Sequence, residues 1–257
     1  MTDFVPTPER QKQILSLLER QGRLSVAEIV QQFSISEATA RRDLESLASQ
    51  GKAQRVHGGV ISVEQAPPEL PILDRKSEQA DEKARIGRAA ASLVAEKETI
   101  FLGSGTTVLE VARNLRDRKQ LTVITNSLPV LNMLASLKEI TVISLGGMLR
   151  DSEMSFIGHI TEQTLREVRV DKVFMGTRGL SLEHGLTNDY LQETLTDRAI
   201  LKIGQDVVIV ADYSKINRVS TVLLAPLEAM NTFVTDSKAD KTFLQALKKQ
   251  GIIVIVA

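Results

Sequence analysis

Apolar positions in the first sixty residues follow helical spacing. Ile14, Leu17 and Leu18 form a stripe behind Pro8, which suits the first turn of a helix, and Gly22 stops the pattern. Leu24 leads into Ser25-Val26-Ala27-Glu28, a capping box, and Ile29, Val30 and Phe33 are apolar along the second helix. In the third, Ala40, Leu44 and Leu47 keep the i, i+4, i+7 spacing of one face. Ala38 and Arg42 fall nearly opposite, with Thr39 and Arg41 on the flanks. Ser36 is a good N-cap for this helix; Ser34 with Glu37 is an overlapping capping box, so two start points are open. Alternation over 53–56 and 60–62, around His57-Gly58-Gly59, predicts a β-hairpin.

The pattern then breaks. Residues 64–71 hold three prolines in eight positions, a composition that resists helix and strand and acts as a semi-rigid spacer. The expected organisation is a small domain over 1–62, a linker over 63–76 and a larger domain over 77–257. A helix is predicted over 77–95, with Ile86, Ala89, Ala90, Leu93 and Val94 as its apolar stripe. Beyond it, β-branched runs at 99–102, 121–125, 140–145, 172–175, 207–211, 232–235 and 252–256 alternate with helical patterns at 107–115, 128–137, 161–168, 191–203 and 241–249. Continuous apolar strands between helices predict a mostly parallel sheet covered on both faces.

Composition narrows the function classes. The 257 residues carry 32 Lys+Arg and 32 Asp+Glu, so any basic surface has to be local. Cysteine is absent, which excludes disulfides, thiolate catalysis and cysteine-based zinc sites, and three scattered histidines do not suggest a metal site. Two tyrosines and no tryptophan argue against an aromatic platform for single strands. Residues 1–10 have no apolar core of signal-peptide length and no 18-residue apolar run occurs, so the cytoplasm is expected, with no membrane partner.

Two short helices joined by a tight turn, the second with a polar outer face, match helix-turn-helix geometry, and the hairpin after them would be the wing. Ser36, Ala38, Thr39, Arg41 and Arg42 are the candidates for a DNA groove, since a helix N-terminus favours phosphate and arginine can fork onto guanine. Arg55 and His57 would touch backbone phosphate; His57 equally suits a turn residue tolerant of unusual dihedrals. Taken alone, the third helix also suits an ordinary surface helix with solvated arginines.

In the larger half, ligands are expected outside the carboxyl ends of the strands. The first strand runs through Gly103-Ser104-Gly105-Thr106-Thr107 directly into a helix, where glycines let the backbone approach an anion and free N–H groups favour phosphate. The second strand ends in Thr125-Asn126-Ser127, the third in Gly146-Gly147 with Arg150 shortly after, and the fourth in Gly176-Thr177-Arg178-Gly179. Any one of these glycine loops could be a mere tight turn; four polar strand ends in one sheet favour a polar small-molecule pocket. The spacing of a nucleotide P-loop is absent, as is the third glycine of a dinucleotide fingerprint.

Residues 8–62 resemble the N-terminal domain of the DeoR-type bacterial transcriptional regulators. The carriers are Arg10, the Leu24–Ile29 helix start, Thr39-Ala40-Arg41-Arg42-Asp43-Leu44 and Arg55-Val56-His57-Gly58-Gly59. Most of 78–257 resembles the sensor domain of the same regulators, through Gly103-Ser104-Gly105-Thr106-Thr107, Thr125-Asn126-Ser127, Leu145-Gly146-Gly147-Met148-Leu149-Arg150, Glu183-His184-Gly185-Leu186-Thr187, Glu193 with Arg198, and Ala211-Asp212-Tyr213-Ser214-Lys215. The resemblance implies a winged helix-turn-helix followed by a Rossmann-like domain similar to ribose-phosphate isomerases and coenzyme A transferases. It implies that Thr39, Arg41 and Arg42 face DNA, and that the effector is a phosphorylated sugar or close relative, held by the four loops together with Glu193, Arg198 and Lys215. Gly103 and Asp197 depart from the family pattern, which often has aspartate at the first and a basic residue at the second.

A transcriptional repressor of a carbohydrate operon is therefore expected, binding double-stranded operator DNA as a homodimer or homotetramer, released by a sugar phosphate and needing no cofactor. A sugar-phosphate isomerase is the rival reading. It needs a general base beside the carbonyl. The Gly176–Gly179 loop has no carboxylate, leaving Glu183, Asp189 and Glu193, the last of which could instead pair with Arg198. A non-specific architectural binder fits the balanced charge poorly. Asp43, beside the apolar stripe, is expected to orient an arginine or a cap.

Overall fold

Ser25 and Ser36 open the two helices that the capping patterns predict. In the computed structural model, which describes residues 6–257 apart from 22, 51, 57, 63 and 66–69, the chain divides into two compact units, Met1–Gln65 and Ala66–Ala257. His57, expected on the wing, and Pro67 and Pro68 of the spacer lie outside the described residues.

The first unit contains helices α1 (Thr7–Gln21), α2 (Val26–Phe33) and α3 (Glu37–Ser49). The Ser25–Glu28 capping box forms in both directions. Of the two start points for α3, Ser36 is used: its Oγ accepts from the Thr39 N–H at 3.2 Å, while Ser34 ends α2 in the left-handed region. Ile14, Leu18, Ile29, Ala40, Leu44 and Leu47 close the core between the helices. Strands Ala53–Val56 and Gly59–Ser62 pair antiparallel, and Arg23–Ser25 adds a third strand on the open side of the latter, which periodicity did not reveal.

The second unit is built on a seven-stranded sheet, parallel throughout. Its order across the sheet is Ile253–Val256, Thr232–Thr235, Gly204–Val210, Val170–Met175, Thr99–Leu102, Leu121–Thr125, Ile140–Ser144. Alternate residues feed two cores. Ile100, Leu102, Phe174 and Val208 face α4 (Ala80–Ala91), α5 (Thr106–Arg113) and α6 (Leu128–Leu134). Phe101, Val173, Met175 and Ile209 face the side closed by α8 (Leu191–Leu201) and α9 (Lys241–Lys249). The remaining helix, α7 (His159–Arg166), packs beside α8. Two small elements were not predicted: a hairpin of Met148–Arg150 with Ser155–Ile157, and an antiparallel sheet of Gly179–Ser181, Gly185–Asn188 and Val222–Ala225.

The strand order fixes where a ligand can enter. The chain winds outward from Thr99–Leu102 to Ile140–Ser144, then returns to the other side of Thr99–Leu102 and winds the opposite way. The loops after Thr99–Leu102 and Val170–Met175 therefore diverge and leave a crevice at the carboxyl edge. Residues 70–76, expected as spacer, pack onto this unit: the Ile72 N–H donates to Ser152 O at 2.7 Å, and Asp74–Lys76 form a 3-10 turn. The predicted 77–95 helix starts later, at Ala80, because Gln79 adopts a left-handed conformation.

Candidate functional site

On α3 the buried and exposed faces divide as the pattern predicts. Ala40, Asp43, Leu44 and Leu47 are buried; Ser36, Ala38, Arg41 and Arg42 are exposed and Thr39 is half-buried. Asp43 accepts from Arg10 Nε at 2.6 Å and from Gln11 Nε2 at 3.2 Å, and the side chains of the Arg10–Asp43 pair are each 4% exposed. Asp43 therefore turns inward and ties α3 to α1. Arg41 lies along its own helix on Glu37 at 2.6 Å, and Arg55 of the wing reaches Glu45 of α3 at 2.8 Å. Both pairs are solvent-exposed, so each is worth under about 1 kcal/mol and is readily exchanged for a phosphate. Arg42 has no side-chain partner among the described residues.

In the second unit a cleft opens at the switch point. One wall is the start of α5, where Ser104, Gly105, Thr106 and Thr107 line the opening. Gly105 holds φ +107°, which a side chain would strain, and supplies no side-chain cap, leaving the first-turn N–H groups to a ligand. The facing walls carry Gly176 and Arg178 after Val170–Met175, Lys215 beyond Gly204–Val210, and Glu193 of α8. The fold brings these residues together from well-separated segments of the chain.

Charges in the cleft are mostly held by neighbours. Arg178 donates from Nε to Asp189 at 3.0 Å. Arg75 pairs with Glu153 and donates to Leu70 O at 2.8 Å, and Lys83 donates to Arg75 O at 3.0 Å. Burial pushes the Lys83 ammonium down from its ordinary range; burial, with Arg178 nearby, does the same to Lys215. Glu193 pairs with Arg150, not with Arg198, and accepts from Ser155 Oγ at 3.2 Å. Asp197 accepts from Asn188 Nδ2 at 2.8 Å; burial first, then the charges of Glu193 and Glu153, push its carboxyl well above the usual range. A cluster of cations beside a helix N-terminus can take an anion, and the carboxyl side can take hydrogen-bond donors.

The other expected residues lie elsewhere. Thr125 is buried, donates to Leu102 O at 2.7 Å and accepts from the Ser127 N–H at 3.0 Å, so that loop braces strands. Asn126 donates to Phe156 O at 3.1 Å, and Ser127 caps α6. Thr161 Oγ1 donates to Gly146 O at 2.8 Å, and a Cβ at Gly147 would come within 2.2 Å of that hydroxyl, so this glycine pair serves a close approach. Gly103 packs against Met175, where a Cβ would meet Cγ at 3.2 Å. Arg150 pairs with Glu193 of the cleft and stacks 4.7 Å over the Tyr190 ring. Arg198 donates to Leu223 O and, at 3.2 Å, to Leu224 O, holding α8 to the small sheet. Sequence reasoning missed Arg75, Lys83, Glu153 and Asn188 as lining residues; a family departure was the only signal at Asp197, and the others carry no spacing signal at all.

A helix-turn-helix with an open outer face, on one chain with a doubly wound domain holding a charged cleft, defines the class: a DNA-binding regulator with a small-molecule sensing domain. Residues 10–66 match the DeoR-like helix-turn-helix domain, and residues 78–237 match the DeoR C-terminal sensor domain. The chain belongs to the DeoR family of transcriptional regulators. It is 34% identical over 97% of its length to the transcriptional repressor AccR of Agrobacterium fabrum, covering 98% of that protein. It is 33% identical to the glycerol-3-phosphate regulon repressor of Escherichia coli, over 95% of this chain and 96% of that one. Among solved structures, ribose 5-phosphate isomerase A of Methanocaldococcus jannaschii is 22% identical over 54% of this chain and 55% of its own, at TM-score 0.40. The protein is a regulator rather than an enzyme: its relatives are named as regulators, and of the three carboxylates open to the isomerase reading, Asp189 and Glu193 are tied to arginines. No helix among the described residues is long and apolar enough to cross a membrane.

Proposed function

We propose that the protein is a cytoplasmic repressor of a carbohydrate operon, and that a phosphorylated sugar in the cleft lowers its affinity for operator DNA. Ser36, Ala38, Thr39, Arg41 and Arg42 enter the major groove, and Arg55 and His57 hold backbone phosphate. One such module gives little specific affinity, so a homodimer or homotetramer reads paired half-sites. The phosphate sits on the 104–107 loop, with Arg178 and Lys215 beside it. The observation that carries the reading is the conjunction at the cleft of an uncapped α5 N-terminus with lysine and arginine side chains drawn out of water. The name of the E. coli relative, which carries a phosphate ester, points the same way.

A thermal-shift screen of phosphorylated sugars against their unphosphorylated parents tests it. A ligand at 100 times its dissociation constant stabilises by about 2.7 kcal/mol. Stabilisation by a phosphorylated member alone is the expected result; stabilisation by the parent sugar to the same degree removes the phosphate from the account.

A further inference from the structure

Three carboxyls gather where α8 meets the cleft, and two of them are directly paired with a guanidinium. Glu153 is answered by Arg75, and Glu193 by Arg150 with the Ser155 hydroxyl. Asp197 is 7% exposed, lines the cleft, and receives the Asn188 amide at 2.8 Å; it has no ion pair among the described residues. A buried carboxylate without a direct ion pair is costly; the charges of Glu193 and Glu153 add to that cost, and the Arg150 charge offsets only part of it. The cost falls if a bound molecule brings a positively charged donor to that spot.

Asn188 also links this spot to the Arg178 loop on the same cleft. Its Nδ2 donates to Asp197, and its Oδ1 accepts from the Arg178 N–H at 3.4 Å. One amide side chain thus bridges Asp197 and the main chain of Arg178, and both residues line the cleft together with the 104–107 loop. A ligand with phosphate alone meets the cations and leaves Asp197 unanswered. A ligand with phosphate at one end and an ammonium at the other answers both.

We infer that the effector is a phosphorylated amino sugar, with its phosphate on the 104–107 loop and its amino group on Asp197. The inference rests on the anion site proposed above and adds the group at the opposite end. In the ligand-free protein burial holds the Asp197 carboxyl above its ordinary range, and an ammonium beside it restores the ionised form.

Titration calorimetry on the full chain tests this. The probes are glucosamine, galactosamine and mannosamine 6-phosphates, each against the hexose 6-phosphate bearing a hydroxyl at the same carbon, with inorganic phosphate alongside. At least one amino sugar phosphate should bind about tenfold or more tighter than its hydroxyl counterpart, the size of one charge-assisted hydrogen bond. In D197N that ratio should fall to about one. Equal binding of amine and hydroxyl, binding of hexose phosphate or inorganic phosphate but of no amino sugar phosphate, or a ratio that survives in D197N each overturns the inference and leaves the anion site standing. No binding by any phosphorylated probe, inorganic phosphate included, overturns the anion site itself. If D197N does not melt cooperatively, the wild-type ratio alone decides: tenfold supports the inference and a ratio of about one overturns it.

Discussion

The outer face of α3 and the cleft of the second unit both present arginines, and they do so in opposite ways. Arg41 and Arg42 stand in water, one loosely paired along its helix and the other without a side-chain partner among the described residues. Arg75 and Arg178 are buried, each held by a carboxylate. An exposed guanidinium loses little when it leaves a surface carboxylate for DNA, so it suits a large polyanion whose exact register varies. A buried guanidinium already fixed in place suits a small ligand, whose binding cannot supply the energy of ordering a wall. The same residue type is therefore suited to reading a polyanion in one unit and to walling a preformed pocket in the other.

The largest test of that contrast lies at the buried Arg10–Asp43 pair beneath the exposed face of α3. Asp43→Ala leaves Arg10 charged inside the first unit, and breaking a buried pair costs about 3–5 kcal/mol. Chemical denaturation should show the first unit unfolding early, with operator binding lost; normal operator binding by this variant would mean that Asp43 does not brace α3. Next is Gly105→Val. Forcing a branched residue to the positive φ of Gly105 costs about 1–3 kcal/mol in backbone strain. The variant should stay on operator DNA when effector is added; a normal response would make the loop structural only. Arg42→Ala belongs to the exposed side. If Arg42 forks onto a base, removal costs about 1–3 kcal/mol of operator affinity and relaxes specificity at one position. An unchanged binding profile across operator variants would refute that contact.

What could be read from the sequence follows the same divide between local and distant causes. Strands at 99–102, 121–125 and 232–235 have the bounds their apolar runs predict, because each feeds side chains into the cores on both faces of the sheet. Helix α3 was legible because Ser36, the apolar stripe and the arginines sit within a few turns of one another. The hairpin at 148–157 and the strands at 179–188 are only three or four residues long and mix polar with apolar positions, so no period marks them. In the cleft, Ser104 to Thr107 were accessible as a strand end running into a helix. Arg75 and Asn188 come from a turn before α4 and from the small sheet, and only the winding of the chain brings them there. Thr125 ends one strand and Gly146 and Gly147 follow another on one arm of the sheet, away from the switch point, which is why segments of the right composition carry structure instead.

The central claim is that filling the cleft loosens the grip of α3 on DNA. Fluorescence anisotropy with a duplex selected from a random library, titrated with and without a phosphorylated sugar that stabilises the protein, measures it directly. A coupling of about 1–3 kcal/mol weakens operator affinity by about 5- to 150-fold. Operator affinity that stays the same while the sugar is demonstrably bound would contradict it.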